Sequence, residues 1–333
     1  MNDTRLSDIA GFRFRDLHPR LFIGTASDRY AGWIGQIYSE KTYREKISTR
    51  PKRIKGNAFT EEILPVESVT EYFQHFSILE LDFTFYGFLF DDQSQPMRNY
   101  HILSNYRKFL AEKSRLILKV PQRICARRLW RGGKFIENPD YLDPKKFTDR
   151  FYQPAVALAG QYIDGFLFEQ EYLTKKDRPA ADKFAEDLET FCSLIPRDDR
   201  YHFEVRTPSL LTDAYFDVLD KYGCGQALSH WTWLPSLRKQ FQISRERFLN
   251  AGRQMVIRLM TPLKMRYEDT YQKAFPFDKM VDNMMSPQMV EETVDLILTA
   301  ISTGVRSNVV INNRAGGNAP SIAQMISERF SNL

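Results

Sequence analysis

The sequence predicts an α/β fold, a single (β/α)8 TIM barrel with extended βα loops. Two observations predict it: eight short apolar segments rich in β-branched or aromatic residues, and stretches of helical periodicity lying between them. Strict alternation of strand and helix calls for a parallel sheet. Eight such units in 333 residues, where a barrel takes about 250, favour a closed barrel over an open doubly wound sheet.

The strand segments, in order, are LFIGTAS (21–27), SILELDFT (77–84), RLILKVPQ (115–122), GFLFEQE (165–171), YHFEVRTP (201–208), GQALSHW (225–231), MVIRLMT (255–261) and NVVINNRA (308–315). Between them, apolar residues recur at spacings of three and four: Val66, Val69, Phe73 and Phe76; Phe184, Leu188, Phe191 and Ile195; Val290, Val294, Ile297 and Ile301; Ile322, Met325 and Ile326. Such spacings mark helices packed by one face. The longest connections, 28–76, 123–164 and 262–307, leave room for extra turns over one mouth of the barrel. No Gly/Ser linker or low-complexity tract interrupts the series, so residues 21–333 read as one domain behind a polar N-terminal extension, 1–20.

With 43% hydrophobic and 27% charged residues, the chain can bury a full core and lies outside the disordered range. A net charge of +5 is compatible with anionic ligands but lacks the imbalance of a dedicated nucleic-acid binder. Cys125, Cys192 and Cys224 are too few and too scattered for a disulfide framework or a CxxC metal knuckle, which points to the cytoplasm. The N-terminus has no apolar signal-like core, and no apolar run approaches the roughly 20 residues that cross a bilayer, so no membrane association is expected.

Six segments also match, in order, those of a known family. They are Ile23-Gly24-Thr25 with Trp33 following, Leu79-Glu80-Leu81-Asp82-Phe83-Thr84-Phe85-Tyr86, Leu118-Lys119-Val120-Pro121, Glu204-Val205-Arg206-Thr207-Pro208-Ser209-Leu210, Val256-Ile257-Arg258-Leu259-Met260-Thr261, and Ile311-Asn312-Asn313 with Gly317-Asn318-Ala319-Pro320. The chain thereby resembles the YecE-like family of uncharacterised TIM barrels (domain of unknown function 72). The resemblance implies a barrel with a shared site at the strand ends, Thr25 and Tyr86 among its contacts, and no established activity. Where that family often carries histidines this chain has Ala126, Thr207 and Met260; Asp82 stands for an asparagine and Glu169 for a glutamine.

Side-chain parity gives an independent argument for the site. In strand two Leu79, Leu81 and Phe83 oppose Glu80 and Asp82; in strand three Leu116, Leu118 and Val120 oppose Ile117 and Lys119. Strand four sets Phe166 and Phe168 against Leu167 and Glu169, and strand five Phe203 and Val205 against Glu204 and Arg206. Strand seven sets Ile257 and Leu259 against Val256, Arg258 and Met260. If the apolar faces meet the helices, seven charged side chains point inward, most of them near the C-terminal strand ends where barrel enzymes build active sites. Such a cluster is either a ligand site or a structural ion-pair network.

Read as a site, Glu80 and Glu204 are candidate acid/base groups. Lys119 is either a desolvated Schiff-base nucleophile or a cation holding an anion. Asp82, Glu169, Arg206, Arg258 and the Asn312-Asn313 pair would contact substrate. Gly316, Gly317 and Asn318 precede a helix that begins with proline, a turn that can either cradle phosphate or merely enter the helix. Trp231 and Trp233 can wall a ring or cap the core. The cationic stretch 123–134, with its single indole, is the one segment suited to nucleic acid. The five histidines show no metal-ligand spacing; no cofactor is expected, though Mg or Mn on the carboxylates stays open. The expected function is an enzyme, a lyase, isomerase or hydrolase, acting on a small anionic or phosphorylated, hydroxylated substrate. The alternatives are a nucleic-acid phosphodiester enzyme or binder, and a non-catalytic binding barrel.

Overall fold

The computed structural model describes residues 11–54 and 56–333. Eight strands close into one parallel barrel: β1 (Leu21–Ala26), β2 (Ile78–Leu81), β3 (Arg115–Lys119), β4 (Ile163–Glu169), β5 (Tyr201–Glu204), β6 (Gly225–His230), β7 (Gln254–Leu259) and β8 (Arg306–Ile311). Each predicted segment supplies one of them, in the predicted order. Several stop earlier than their apolar runs. After Leu81 the chain coils into a 3-10 turn, Asp82–Tyr86, because the Thr84 hydroxyl donates to the carbonyls of Leu81 (2.9 Å) and Lys119 (2.8 Å) instead of joining the sheet.

A helix follows each strand: α1 (Val69–His75), α2 (Arg98–Arg107), α3 (Gln153–Ala159), α4 (Ala181–Leu194), α5 (Asp213–Tyr222), α6 (Leu237–Ile243), α7 (Pro287–Ser302) and α8 (Ala319–Ser331). The predicted faces are largely the buried ones: Phe184, Leu188 and Phe191 in α4, Val290, Val294 and Ile297 in α7, Ile322 and Ile326 in α8, where Met325 is instead exposed. Of the expected N-terminal extension, residues 1–10 lie outside the described residues. Phe14 packs its fully buried ring on Phe76 at 5.1 Å between centroids.

The long connections carry the extra structure. A hairpin, Ser48–Ile54 with Asn57–Ile63, rises from the first; a second, Arg128–Arg131 with Lys134–Glu137, from the third; a short helix, Tyr267–Ala274, from the seventh. Phe59 of the first hairpin meets Tyr271 and Phe275 at 5.2 and 5.3 Å, so the first and seventh connections lock together over one side of the mouth.

Strand register stacks the lumen in layers. At the N-terminal end Arg306 Nη2 donates to both oxygens of Asp164, each at 2.7 Å, and Asn308 Nδ2 donates to Asp164 (3.2 Å) and Gln254 (3.1 Å). The β3–β4 register skips Asp164 between the Leu116–Ile163 and Ile117–Gly165 pairs, which lets this acid join that layer. The next layer is apolar, with Ile78, Ile117, Leu167, Val256 and Val310 around Gly24. A Cβ on Gly24 would stand 1.7 Å from the Ile78 carbonyl oxygen, so glycine is required where β1 approaches β2. Above it lies the charged layer.

Candidate functional site

The inward charges predicted from parity converge on Arg258, which is 1% exposed. Its Nε and Nη2 donate to the two oxygens of Glu80 at 2.8 and 2.6 Å; its Nη1 donates to Glu169 at 3.0 Å and to Glu204. Arg206 donates from Nε to the other Glu204 oxygen (2.6 Å) and pairs with Glu169 at 2.9 Å. Lys119 Nζ closes the chain, 2.8 Å from Glu169 and 3.3 Å from Asp82. Five strands and the segments just after β2 and β5 thus contribute to one network of three cations and four acids.

Burial opposes every charge in this arrangement, and pairing decides each group's state. Burial disfavours the Glu169 carboxylate, yet Arg206, Lys119 and Arg258 outweigh it and hold the group far below the ordinary range. Burial likewise opposes the Glu204 charge, and Arg206 with Arg258 overcomes it. Glu80 is pushed up by burial, against the pull of Arg258. Burial disfavours the Lys119 ammonium, but Glu169 and Asp82 hold it well above its usual value. An amine so held is an electrostatic group, not a Schiff-base nucleophile.

Beside this network opens a pocket of about 710 Å³. The first hairpin, the loop after β1, the turn after β2, the residues after β8 and segment 271–277 enclose it. Asp82 belongs to both pocket and network, and Ser27 Oγ donates to it across 3.4 Å. Arg29, Arg50, Lys52, Arg98 and Arg314 bring cations to the wall; Tyr30, Phe83, Tyr86 and Tyr106 bring rings. Asn312 also lines it, its Oδ1 accepting from Arg314 N (3.0 Å) and Nε (3.1 Å). Four acids, Asp28, Glu61, Glu62 and Asp82, share the wall with these cations, and Glu61 pairs with both Arg50 and Lys52 (2.7 Å), so a cavity of this size with aromatic walls suits a small hydroxylated ligand whose anionic group would meet Arg29 and Arg98.

Most of this wall escaped the sequence reading, which names only Asp82, Tyr86 and Asn312 of it as site residues. Asp28, two positions past β1, is 2% exposed and accepts a 2.8 Å hydrogen bond from Tyr106. Burial pushes its carboxyl up to about 6. Nothing in the local sequence signals this, since Tyr106 comes from α2.

Other expected contacts lie elsewhere. Thr25 is fully buried, its hydroxyl donating to the Ser27 carbonyl (2.7 Å) and meeting the Tyr72 hydroxyl (2.9 Å), so it fastens α1 to β1. Asn313 Oδ1 accepts from Trp33 Nε1 (3.1 Å) and Ala319 N (2.8 Å), and Asn313 is absent from the pocket wall. The Gly316-Gly317-Asn318 turn is likewise turned inward. Gly317 N donates to the Asn313 carbonyl at 2.6 Å, Asn318 Oδ1 caps Ser321 N at 2.8 Å, and segment 279–281 covers the glycines. Glycine is needed there for close backbone packing, and the N–H groups of Gly316 and Gly317 both donate to the Asn313 carbonyl. Tyr86, by contrast, is 77% exposed at the pocket rim.

At the far side of the mouth the Arg206 guanidinium lies 4.9 Å over Trp231, and Tyr172 stands 6.1 and 6.2 Å from Trp231 and Trp233. In the cationic stretch Arg123 pairs with Asp140, Arg127 with Asp187 (3.1 Å) and Arg128 with Asp177 (2.7 Å). Cys125 is buried and its thiol is pushed well up by burial, which removes its nucleophilicity. Among the described residues no group of three or more His, Cys, Asp or Glu side chains gathers as a metal site would, since Arg258 and Lys119 sit between the carboxylates.

A family model described as "Protein of unknown function DUF72" matches residues 22–332. The chain belongs to this family. Among solved structures, the DUF72 chain is similar to the DUF72 family protein TM1631 of Thermotoga maritima, with 15% identity and a TM-score of 0.54 over 94% of this chain and 99% of that one. It is also similar to the DUF72 family protein EF0366 of Enterococcus faecalis, at 12% identity and a TM-score of 0.55 over 93% and 95% of the two chains. At such identities the likeness is one of fold. No curated protein matches the sequence. No helix among the described residues is long and apolar enough to cross a membrane.

Proposed function

We propose that this DUF72 barrel is an enzyme that binds a small anionic, hydroxylated substrate in the mouth pocket and works on it beside the Lys119–Asp82 edge of the charged network. The observation that carries the reading is the position of the pocket: it opens at the C-terminal strand ends, bounded by Asp82 and Asn312 and fringed by cations. In this reading Arg258 fixes Glu80 and Glu204 as a rigid electrostatic floor, Lys119 and Arg206 favour negative charge developing above it, and Arg29 and Arg98 on the pocket wall bind the anionic group. The reaction class that suits such a site is proton transfer at a hydroxylated carbon skeleton, as in a lyase, isomerase or hydrolase. Nucleic acid is a poorer fit, because three cations of the 123–134 stretch are already paired. The thiols are unbridged, Cys192 and Cys224 even though they meet, and this favours a cytoplasmic setting.

Calorimetric titration with ribose 5-phosphate, ribose and inorganic phosphate tests this. The sugar phosphate should bind more tightly than either fragment, and Arg98→Ala or Asn312→Ala should each weaken it tenfold or more, about 1.4 kcal/mol. Equal binding by wild type and both variants, or none by wild type at millimolar ligand, would refute the assignment.

A further inference from the structure

We propose that Asp28, held by Tyr106, is the residue that gives and takes a proton in the mouth pocket. This role deepens the pocket reading above and rests on it. Asp28 stands just beyond the C-terminal end of β1, in the position from which barrel strands present reacting groups. Its backbone carbonyl accepts from Tyr38 at 2.7 Å, which fixes the loop, and its Oδ1 accepts from Tyr106 at 2.8 Å. Its Oδ2 is buried and has no hydrogen-bond partner among the described residues. Asp28 belongs to the pocket wall, and its carboxyl, oriented through one oxygen and left unpaired and closed off from solvent at the other, keeps a free acceptor for a ligand proton.

The contrast with the predicted acid/base pair is direct. Both Glu80 oxygens are bonded to Arg258, and those of Glu204 to Arg258 and Arg206, so neither offers an oxygen to substrate. The groups facing Asp28 are Arg29 from its own loop, Tyr38 from the segment before the first hairpin, Tyr72 from α1 and Tyr106 from α2. Burial lifts all three phenols well above their ordinary value, so Arg29 is the one charged neighbour among them near neutral pH. Burial also raises the Asp28 carboxyl to about 6, with the Tyr106 bond and Arg29 pulling back, which leaves both protonation states accessible.

In the donating step the Oδ2–H bond breaks and an O–H bond forms on a hydroxyl or carbonyl oxygen of the ligand. The electron pair stays on the carboxylate, where the Tyr106 hydroxyl stabilises it. In the reverse step the same oxygen removes a ligand proton.

Carbon-13 NMR of the full chain, labelled at the aspartate carboxyl carbon and assigned with Asp28→Asn, reads the titration directly. Asp28 should titrate near pH 6, and Tyr106→Phe should raise that midpoint by removing a bond that favours the charged form. Saturating ribose 5-phosphate should shift it again, while Asp28→Asn still binds the sugar phosphate. A midpoint in the ordinary carboxyl range, or one that bound ribose 5-phosphate leaves in place, overturns the role of Asp28 and spares the pocket reading. Absence of binding to both wild type and Asp28→Asn overturns the two together.

Discussion

Replacing Arg258 with methionine removes the centre of the network while keeping an unbranched side chain of fair volume. Arg258 makes both bonds to Glu80 and one each to Glu169 and Glu204. After the change Glu169 keeps Lys119 and Arg206, and Glu204 keeps Arg206, but Glu80 loses both oxygens' donors in a fully buried position. Leaving one buried charge without its partner costs about 3–5 kcal/mol, and that is the loss expected at pH 8. The sign of the pH dependence follows. With Arg258 gone, burial raises Glu80 further above its unfolded value, so the folded variant binds a proton that the unfolded chain lacks. Its deficit is therefore full at high pH and shrinks as the medium is acidified, by about 1.4 kcal/mol per pH unit between the Glu80 midpoints of the folded variant and the folded wild type. Urea unfolding followed by circular dichroism at pH 8 and pH 5 measures both quantities, and Arg258→Met combined with Glu80→Gln should recover much of the loss at pH 8. A deficit below about 1 kcal/mol at pH 8, or one equal at the two pH values, would show that Glu80 is not a buried carboxylate dependent on its Arg258 partner.

The same linkage makes Asp28→Asn stabilising. A folded value near 6 against an unfolded one near 4 costs the wild type roughly 3 kcal/mol above pH 6 and nothing below pH 4, so the variant should be more resistant to urea at pH 8 but not at pH 4. Gly317 has φ of +112°, and an added Cβ would lie 2.5 Å from the Lys279 carbonyl oxygen, so Gly317→Ala should lower stability by about 1–3 kcal/mol while ribose 5-phosphate affinity stays unchanged. An affinity loss in that variant larger than its loss in melting temperature explains would return the turn to the binding site.

Parity carried the sequence reading a long way because it depends only on the two-residue repeat of a strand. It told that Glu80, Lys119, Glu204 and Arg258 share the lumen, yet could not tell that Arg258 grips both Glu80 oxygens, since that pairing spans 178 residues. The first hairpin was invisible for a different reason. Its strands are mostly exposed, STRPKRI and NAFTEEI, so no alternation marks them, and the pocket they roof could not be drawn. The glycine turn shows the ambiguity of a motif: glycines before a helix serve a phosphate or a close-packed backbone equally well, and only segment 279–281, far upstream, decides between them.

The two kinds of carboxyl in this mouth are separated by environment alone. Glu169 touches three cations and is held ionised far below the ordinary range; Asp28 touches a phenol, has one oxygen unpaired, and sits near neutrality. A group tied into several ion pairs cannot change charge without breaking them, so it serves as fixed electrostatics. A group held by a phenol beside a single cation, Arg29, changes charge at less structural cost. Two environments that drive carboxyls so far apart within one site support the proposed division of labour between stabilising charge and moving protons. It places proton transfer on the β1 side of the pocket and leaves the lumen acids to orient Arg258, Arg206 and Lys119.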